Sequence, residues 1–178
     1  MTSGSASSSS DSTTPEFGET LNVPAPSCYS PPMTEIFQQP AGGAFDGVRH
    51  VLPLRVYYED TDFSGVVYHA SYLRFFERGR TEFVRALGID QKALHVETGT
   101  SFAVRRLTID YIRPAVMDDV VTVETRIAEA AGASLRLEQT LRRDGAVLAG
   151  AEVLVVCVRG GRPQRLPEAL RGARGRRA

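Results

Sequence analysis

The sequence predicts an α+β domain in which one long amphipathic helix packs against five antiparallel strands. Apolar residues recur at steps of three and four over residues 69–87, which is the periodicity of a helix with one buried face. Four strand-like runs of alternating apolar and polar residues lie after this helix, and a similar run precedes it. A single helix followed by consecutive strands is typical of a two-layer α+β arrangement.

Composition divides the 178-residue chain into four parts. Residues 1–32 are rich in Ser, Thr and Pro, a composition that cannot bury enough apolar surface to fold, and they predict a disordered tail. Two interpretations of this tail stay open: a regulatory or targeting segment, or a leader ahead of a true start at Met33. We predict a lead-in linker at residues 33–50, the folded domain at residues 51–160 and an Arg-rich C-terminal tail at residues 161–178.

The central helix follows a predicted strand at residues 52–58 and a predicted loop at residues 59–68. Its apolar face is formed by Tyr72, Phe76, Gly79, Phe83 and Leu87. Gly79 lies in the middle of this face, although Ala would favour a helix there by about 1 kcal/mol. We therefore expect the helix backbone at Gly79 to lie close to a flat surface such as a sheet. Gly88 is predicted to end the helix.

The remaining elements are a short second helix and four strands. We predict them at residues 91–97, 100–113, 120–127, 134–142 and 146–158. A change of apolar parity near Arg105 and Arg106 predicts a β-bulge, and Asp144-Gly145 predicts a hairpin turn. The last strand is apolar on both faces, as is typical of a strand near the centre of a sheet. Because one helix covers only one face of the sheet, this pattern predicts an oligomer.

Composition also excludes several classes of protein. The five acidic residues before Arg49 leave 16 acidic against 21 basic residues in the rest of the chain, a formal charge of +5. That charge suits an anionic small ligand, but it is too sparse for a nucleic-acid-binding surface. Cys28 and Cys157 are too few for a disulfide framework or a zinc site, and no run approaches the ~18 apolar residues of a membrane span. The N-terminus lacks a secretory signal, so we expect a cytoplasmic protein.

Candidate chemistry lies in the stretch YYEDTDFSGVVYHASYLRFFE, residues 57–77, where three carboxylates precede the helix. The first turn of a helix offers unpaired N–H groups and a partial positive charge, which stabilise a developing anion. An acid on the preceding loop can act beside it as a nucleophile or a general base. Ser64-Gly65 allows the loop to turn tightly enough for Asp62 to face the helix start. From these residues alone, Asp62 is better interpreted as a turn residue, because Asp-Thr-Asp is a sequence that favours turns.

This stretch closely resembles the hotdog-fold acyl-CoA thioesterases of the 4-hydroxybenzoyl-CoA thioesterase type, most of all their branch associated with the bacterial Tol–Pal system. The likeness continues through FAVRRLTIDYIRPAVMDDVVTVET and AEVLVVCV and covers about residues 51–158. The resemblance implies a five-stranded antiparallel sheet wrapped around one central helix, assembled as a homodimer or homotetramer. It also implies hydrolysis of acyl-CoA to a free acid and CoA.

The resemblance assigns roles to three residues. Asp62 matches the catalytic carboxylate, which attacks the thioester carbonyl or activates a water. His69 matches the position of the backbone oxyanion donor, and Tyr58 and the His69 side chain match functional positions of the Tol–Pal branch. Two alternatives stay open, that His69 is a packing residue at the helix start and that Tyr58 is an ordinary edge aromatic. Glu59 and Asp60 are expected to be solvated loop acids.

One departure from the family concerns the turn between its third and fourth strands, which often supplies basic residues to the CoA nucleotide. Here the turn reads AEAAGASLRL, with Arg136 the first basic residue after it, so the family's basic nucleotide contacts are not predicted for this chain. No metal or other cofactor is implied, because the three histidines have no ligand spacing with Cys or acidic partners.

Two other functions stay open alongside acyl-CoA hydrolysis. One is a thioesterase acting on acyl carrier protein, since the phosphopantetheine arm is common to both substrates. The other is a non-catalytic acyl-binding or scaffold protein of the Tol–Pal machinery. A hotdog dehydratase is a weaker alternative, because its histidine and acid lie on the helix, unlike Asp62 and its loop.

Overall fold

The computed structural model describes residues 41–173, in which three α-helices pack with one antiparallel sheet. The helices are α1 (His69–Ala86), α2 (Gln91–Thr98) and α3 (Glu168–Gly172). The strands are β1 (Ala44–Asp46), β2 (Arg49–Arg55), β3 (Thr100–Tyr111), β4 (Val120–Ala131), β5 (Ser134–Arg143), β6 (Ala146–Arg159) and β7 (Arg162–Pro163). They are ordered β1-β2-β4-β5-β6-β3, with β7 paired to β6. The predicted α+β class, with five long strands and one long helix, is confirmed.

The core forms where α1 crosses the sheet. Phe75, Phe76 and Phe83 of α1 are almost completely buried, and so are the apolar residues of the strands beneath them. Burying one such side chain contributes roughly 1.5–3 kcal/mol relative to leaving it in water. The apolar face predicted from the sequence is therefore the face that holds α1 on the sheet.

Gly79 is the point of closest approach between α1 and the sheet. A Cβ atom built there would lie 2.4 Å from Cγ1 of Val123, and 3.2 Å from both Nε2 of Gln139 and Oγ1 of Thr125. Real Cβ atoms essentially never approach another heavy atom to that first distance. The expectation that glycine permits close contact between this helix and a sheet is confirmed.

A buried polar network surrounds this contact. The Gln139 amide donates to the Phe76 carbonyl and to the Thr125 hydroxyl, both at 2.9 Å, and its oxygen accepts from Arg80 at 2.8 Å. Arg80 also pairs with Glu77 one turn earlier on α1. Buried polar groups are costly when unpaired, so this set of bonds fixes the position of α1 over β4 and β5.

Local irregularities of the sheet also agree with the sequence. The β3–β6 register shifts between Val104 and Arg106, which places the predicted bulge at Arg105. Asp144 and Gly145 have φ angles of 49° and 79°, and two positive φ angles are the signature of a type I′ hairpin turn. α1 ends as predicted. Leu87 is its C-cap residue, and Gly88 follows directly with a φ of 82°.

The folded region extends past the predicted boundaries on both sides. Part of the predicted 33–50 linker forms β1 and the start of β2, because Phe45 packs edge-on against the buried rings of His50 and Phe83. Part of the predicted C-terminal tail forms β7 and α3, because Leu166 and Leu170 are buried against the sheet. Residues 1–32, predicted as a disordered tail, lie outside the described residues.

Candidate functional site

The loop between β2 and α1 is closed by its own backbone. The Asp60 carbonyl accepts from the Tyr68 N–H at 2.8 Å, so the residues at the two ends of the loop are joined. Inside this closure, the Asp62 N–H donates to the Val66 carbonyl and the Gly65 N–H donates to the Asp62 carbonyl, both at 3.0 Å. Gly65 has a φ of 79°, a conformation that glycine adopts without steric cost. The loop therefore returns the chain to the helix start directly after Asp62.

Ser64 holds the Asp62 carboxylate in place. Oδ1 of Asp62 accepts from the Ser64 N–H at 2.8 Å and from the Ser64 hydroxyl. The Ser64 hydroxyl contributes most to lowering the pKa of Asp62, and the Ser64 N–H comes second. A loss of solvation opposes them, and His69 makes the least contribution to the lowering. Asp62 is therefore ionised at neutral pH. Both hydrogen bonds use Oδ1, which leaves Oδ2 for an incoming group.

His69 is the first residue of α1, and the helix start is uncapped. The Tyr68 side chain makes no capping hydrogen bond, and the first backbone bond across this turn runs from the Ser71 N–H to the Tyr68 carbonyl at 2.8 Å. Among residues 41–173, the N–H groups of His69 and Ala70 have no hydrogen-bond acceptor. Free N–H groups at a helix N-terminus form a ready anion-binding position.

Asp62 and His69 line the same open groove. The groove is also lined by Val66, Val67, Tyr72, Tyr111, Ile112, Arg113 and Pro114. The Tyr111 hydroxyl donates to the His69 carbonyl at 3.0 Å, and burial together with Tyr72 raises the pKa of the Tyr111 phenol. The Tyr72 hydroxyl accepts from the Ala115 N–H at 3.1 Å. The groove thus joins a carboxylate, an imidazole and an uncapped helix start.

Tyr58 does not join this group. It was predicted at the end of a strand, but β2 ends at Arg55, and Tyr58 begins a single 3₁₀ turn. Its side chain is 81% exposed and is not among the residues that line the groove. The chain leaves the sheet early because Val56, although buried, pairs its N–H with the Asp119 carbonyl of a loop rather than with a strand. The alternation of residues 52–58 therefore predicted a strand that continues too far.

Asp60 also differs from its prediction, whereas Glu59 is exposed as expected. Asp60 is only 1% exposed, and its Oδ2 accepts from the Tyr57 N–H at 3.0 Å. Its Oδ1 is buried with no hydrogen-bond partner among residues 41–173. The expectation of a solvated acid is wrong because the 3₁₀ turn directs this side chain inward to bind its own backbone.

Sequence reasoning missed two residues that shape the groove. Ser64 was considered only for turning the loop, although Asp-x-Ser is a pattern in which the serine binds the aspartate side chain. Tyr111 lies 42 residues from the backbone carbonyl that it contacts, and no local pattern marks it. The first omission had a signal in the sequence, while the second depends on how β3 and α1 meet.

Within residues 41–173, no three His, Cys, Asp or Glu side chains are grouped so that they could hold a metal ion. No helix in the same range is both long and apolar enough to cross a membrane.

Sequence and structure comparisons show which family the chain belongs to. The sequence model of the Thioesterase-like superfamily matches residues 56–173. This range is about two thirds of the chain and contains all of the elements that form the groove. The chain belongs to this superfamily. The hotdog fold that the sequence resemblance implied is confirmed by this match and by the solved structures that follow.

Relatives within the superfamily are similar along most of their length. The chain is 47% identical over 123 residues to "Acyl-CoA thioesterase YbgC" of Haemophilus influenzae, covering 68% of this chain and 90% of that protein. A crystal structure of a probable thioesterase from Bartonella henselae superposes with a TM-score of 0.65 at 42% identity, covering 67% of this chain and 99% of the other.

A structure of 4-hydroxybenzoyl CoA thioesterase superposes with a TM-score of 0.67, covering 71% of this chain and 98% of the other. At 18% identity, this likeness shows the fold alone.

Proposed function

We propose that this protein hydrolyses acyl-CoA thioesters to a free acid and CoA. The observation that carries the proposal is the ionised Asp62 carboxylate, held by Ser64 in the same groove as the uncapped start of α1. The proposal is further supported by the name of the Haemophilus influenzae relative, which is 47% identical. A carboxylate beside free backbone donors can supply both the nucleophile or base and the oxyanion donors of an acyl-transfer reaction.

Asp62 is proposed as the group that starts the reaction. As a nucleophile, Oδ2 attacks the thioester carbonyl carbon, the C–S bond breaks, and water then hydrolyses the resulting anhydride. As a general base, Asp62 takes a proton from water while the water oxygen attacks. In either case the sulfur leaves as a thiolate that gains a proton, so acid and CoA thiol are the products. The lowered pKa of Asp62 keeps the carboxylate available at neutral pH for both routes.

The helix start is proposed to stabilise the oxyanion formed during attack. The His69 N–H matches the family's donor position, and a donor aimed at such an oxyanion typically contributes about 3–4 kcal/mol. The His69 side chain is proposed to assist from within the groove, which it lines together with Asp62. The proposed role of Tyr58 rests on the resemblance alone, since its exposed ring lies outside the groove residues.

The direct experiment is a panel of acyl-CoA substrates that varies in chain length and includes aromatic acids, assayed for release of free thiol. We expect hydrolysis of at least one class well above the rate without protein. If no acyl-CoA is hydrolysed but acyl carrier protein thioesters are, the carrier-protein alternative replaces this proposal. If both substrate types are inert, the non-catalytic acyl-binding or scaffold role replaces it.

We also propose a homodimer or homotetramer. Within residues 41–173, β3 is bonded to β6 on one side, and its other side is an edge of the sheet. Such an edge presents unpaired N–H and C=O groups along twelve residues, from Thr100 to Tyr111, and favours pairing with a second strand. Tyr111 and Ile112, which line the groove, lie at the end of this edge, so a second copy there would adjoin the groove. Light scattering at micromolar concentration should show an oligomer, and a monomer would contradict this assembly.

The association with the Tol–Pal system and the cytoplasmic location are proposals that rest on the sequence alone. For residues outside 41–173, the predicted boundaries of the N-terminal and C-terminal tails are also proposals that rest on the sequence. Fractionation of cells that express the tagged full chain tests the location, and affinity capture from the same cells tests contact with Tol–Pal components. Recovery of the chain in the envelope fraction without any of those components would contradict both proposals.

A further inference from the structure

Tyr111 makes a contact that the proposed chemistry has not used. Its hydroxyl donates a 3.0 Å hydrogen bond to the carbonyl of His69, across 42 residues of sequence. The same ring lines the groove that contains Asp62, and it is 48% exposed. A side chain of the sheet therefore reaches the first peptide group of α1 from within the candidate site.

The contacted carbonyl belongs to the same peptide unit as the N–H of Ala70. In a helix, carbonyls point toward the C-terminus and N–H groups toward the N-terminus, so Tyr111 and a bound oxyanion would meet this peptide from opposite ends. A donor on the carbonyl oxygen withdraws electron density from the peptide, which makes its N–H a stronger donor. The Ala70 N–H has no acceptor among residues 41–173.

We propose that Tyr111 is a positioning residue that polarises the His69–Ala70 peptide, so that the Ala70 N–H acts as an oxyanion donor alongside the His69 N–H. The inference rests on the proposed thioesterase function. It assigns the oxyanion position two backbone donors and a residue from β3 that strengthens one of them. The donor strength of this first turn of α1 would then depend on where β3 places the Tyr111 hydroxyl.

The surroundings of Tyr111 hold its hydroxyl in place. The Tyr72 ring packs edge-on against the Tyr111 ring, with centroids 5.3 Å apart. Tyr72 is itself buried and is fixed by the hydrogen bond from the Ala115 N–H. Burial raises the pKa of the Tyr111 phenol, which keeps its proton for donation at neutral pH. The contact is therefore a constrained donor rather than a surface tyrosine free to rotate.

The first test is Tyr111→Phe, which removes the hydroxyl and keeps the ring against Tyr72. Loss of one hydrogen bond that acts on the transition state predicts a fall in kcat of about 3- to 10-fold, with KM nearly unchanged. The matched control is Tyr57→Phe, which makes the same change on an exposed ring outside the groove residues, and it should leave both parameters unchanged. A rise in KM at constant kcat would instead make Tyr111 a substrate-binding residue and overturn the inference.

Fluorinated tyrosine placed at position 111 alone separates polarisation from packing. A fluorinated phenol is a stronger donor, so kcat should increase in the order Phe, Tyr, fluorotyrosine at a pH where each phenol keeps its proton. An equal kcat for tyrosine and fluorotyrosine would contradict polarisation, because a purely structural hydroxyl is insensitive to donor strength.

A measurement on the resting protein keeps this inference distinct from the proposed function. The amide proton resonance of Ala70 should move upfield in Tyr111→Phe and stay in place in Tyr57→Phe. If the parent protein hydrolyses no thioester, the thioesterase proposal fails, and the role of the Ala70 N–H as an oxyanion donor fails with it. If the parent is active and the Ala70 resonance does not move, this inference alone is overturned.

Discussion

Replacing Gly79 by Ala tests how closely α1 lies on the sheet. On an isolated helix the change would add about 1 kcal/mol to stability, because Ala is the better helix former. Here the new Cβ would lie 2.4 Å from Cγ1 of Val123, which is completely buried and cannot swing into open space. Inserting a methyl group into a packed core costs roughly 1–3 kcal/mol, and this distance places the cost near the upper value. We expect the free energy of unfolding to fall by about 2 kcal/mol after the helix gain of about 1 is subtracted.

Urea unfolding at one fixed protein concentration measures this change, because any oligomer makes stability depend on concentration. Gly150→Ala is the matched control, since a Cβ at Gly150 would have no heavy atom within 4 Å. That substitution should raise stability by about 0.5–1 kcal/mol, the usual gain from replacing a strand glycine. A gain of similar size in Gly79→Ala would refute the close packing of α1 on β4.

Three further predictions concern the loop and the tail. Ser64→Ala removes the largest cause of the lowered pKa of Asp62, so that pKa should rise. Because the reaction needs the carboxylate, kcat/KM of the variant should begin to fall at a higher pH than kcat/KM of the parent when the solution is acidified. If the two proteins lose kcat/KM at the same pH, Asp62 is not the titrating group. Asp60→Ala should lower the free energy of unfolding by about 1–3 kcal/mol, because the part-buried Tyr57 N–H loses its charged acceptor, and Asp60→Asn should lose less in the same urea titration because the amide oxygen still accepts. Removing residues 1–32 should leave thiol release and oligomeric state unchanged, and loss of either in a chain that starts at Met33 would show that the tail has a role in the domain.

The parts of the fold that the sequence predicted are those set by local pattern. Three such features depend on residues a few positions apart: the apolar face of α1, the bulge at Arg105 and the Asp144-Gly145 turn. Gly79 was informative for a similar reason, since a glycine on the apolar face of a helix conflicts with helix propensity unless the backbone must approach another surface. Each of these features can be recognised without knowing which strands are neighbours.

The parts that were missed depend on tertiary contact. Leu166 and Leu170 lie in an Arg-rich stretch whose composition suggests a solvated tail, and only their burial against the sheet shows that the domain continues. Asp60 lies between Glu59 and Thr61 in a run of polar residues, and the direction of its side chain follows from the 3₁₀ turn and not from its type. Tyr111 reaches the helix only because β3 brings it there.

The candidate site also contains residues whose placement could be predicted from local sequence and residues whose placement could not. Asp62 and His69 are seven positions apart on one loop and helix start, so their proximity could be predicted from a tight turn at Ser64-Gly65. Tyr58 was assigned by resemblance alone, and in this chain its ring is exposed and lies outside the groove residues. The roles of all three residues stay predictions, which substitution can test.

The most direct test of the central claim is the rate of thiol release by Asp62→Asn, measured with its melting temperature. Asn keeps the size of the side chain and an oxygen for the Ser64 N–H, but it lacks the charge that attack or base catalysis needs. We expect kcat to fall by about 10²–10⁴-fold with the melting temperature nearly unchanged. Glu59→Gln, which alters an exposed acid on the same loop, should remain close to the parent, and His69→Ala should be intermediate because its backbone N–H survives. If Asp62→Asn hydrolyses every acyl-CoA as fast as the parent does, Asp62 is a turn residue and the proposed site is wrong.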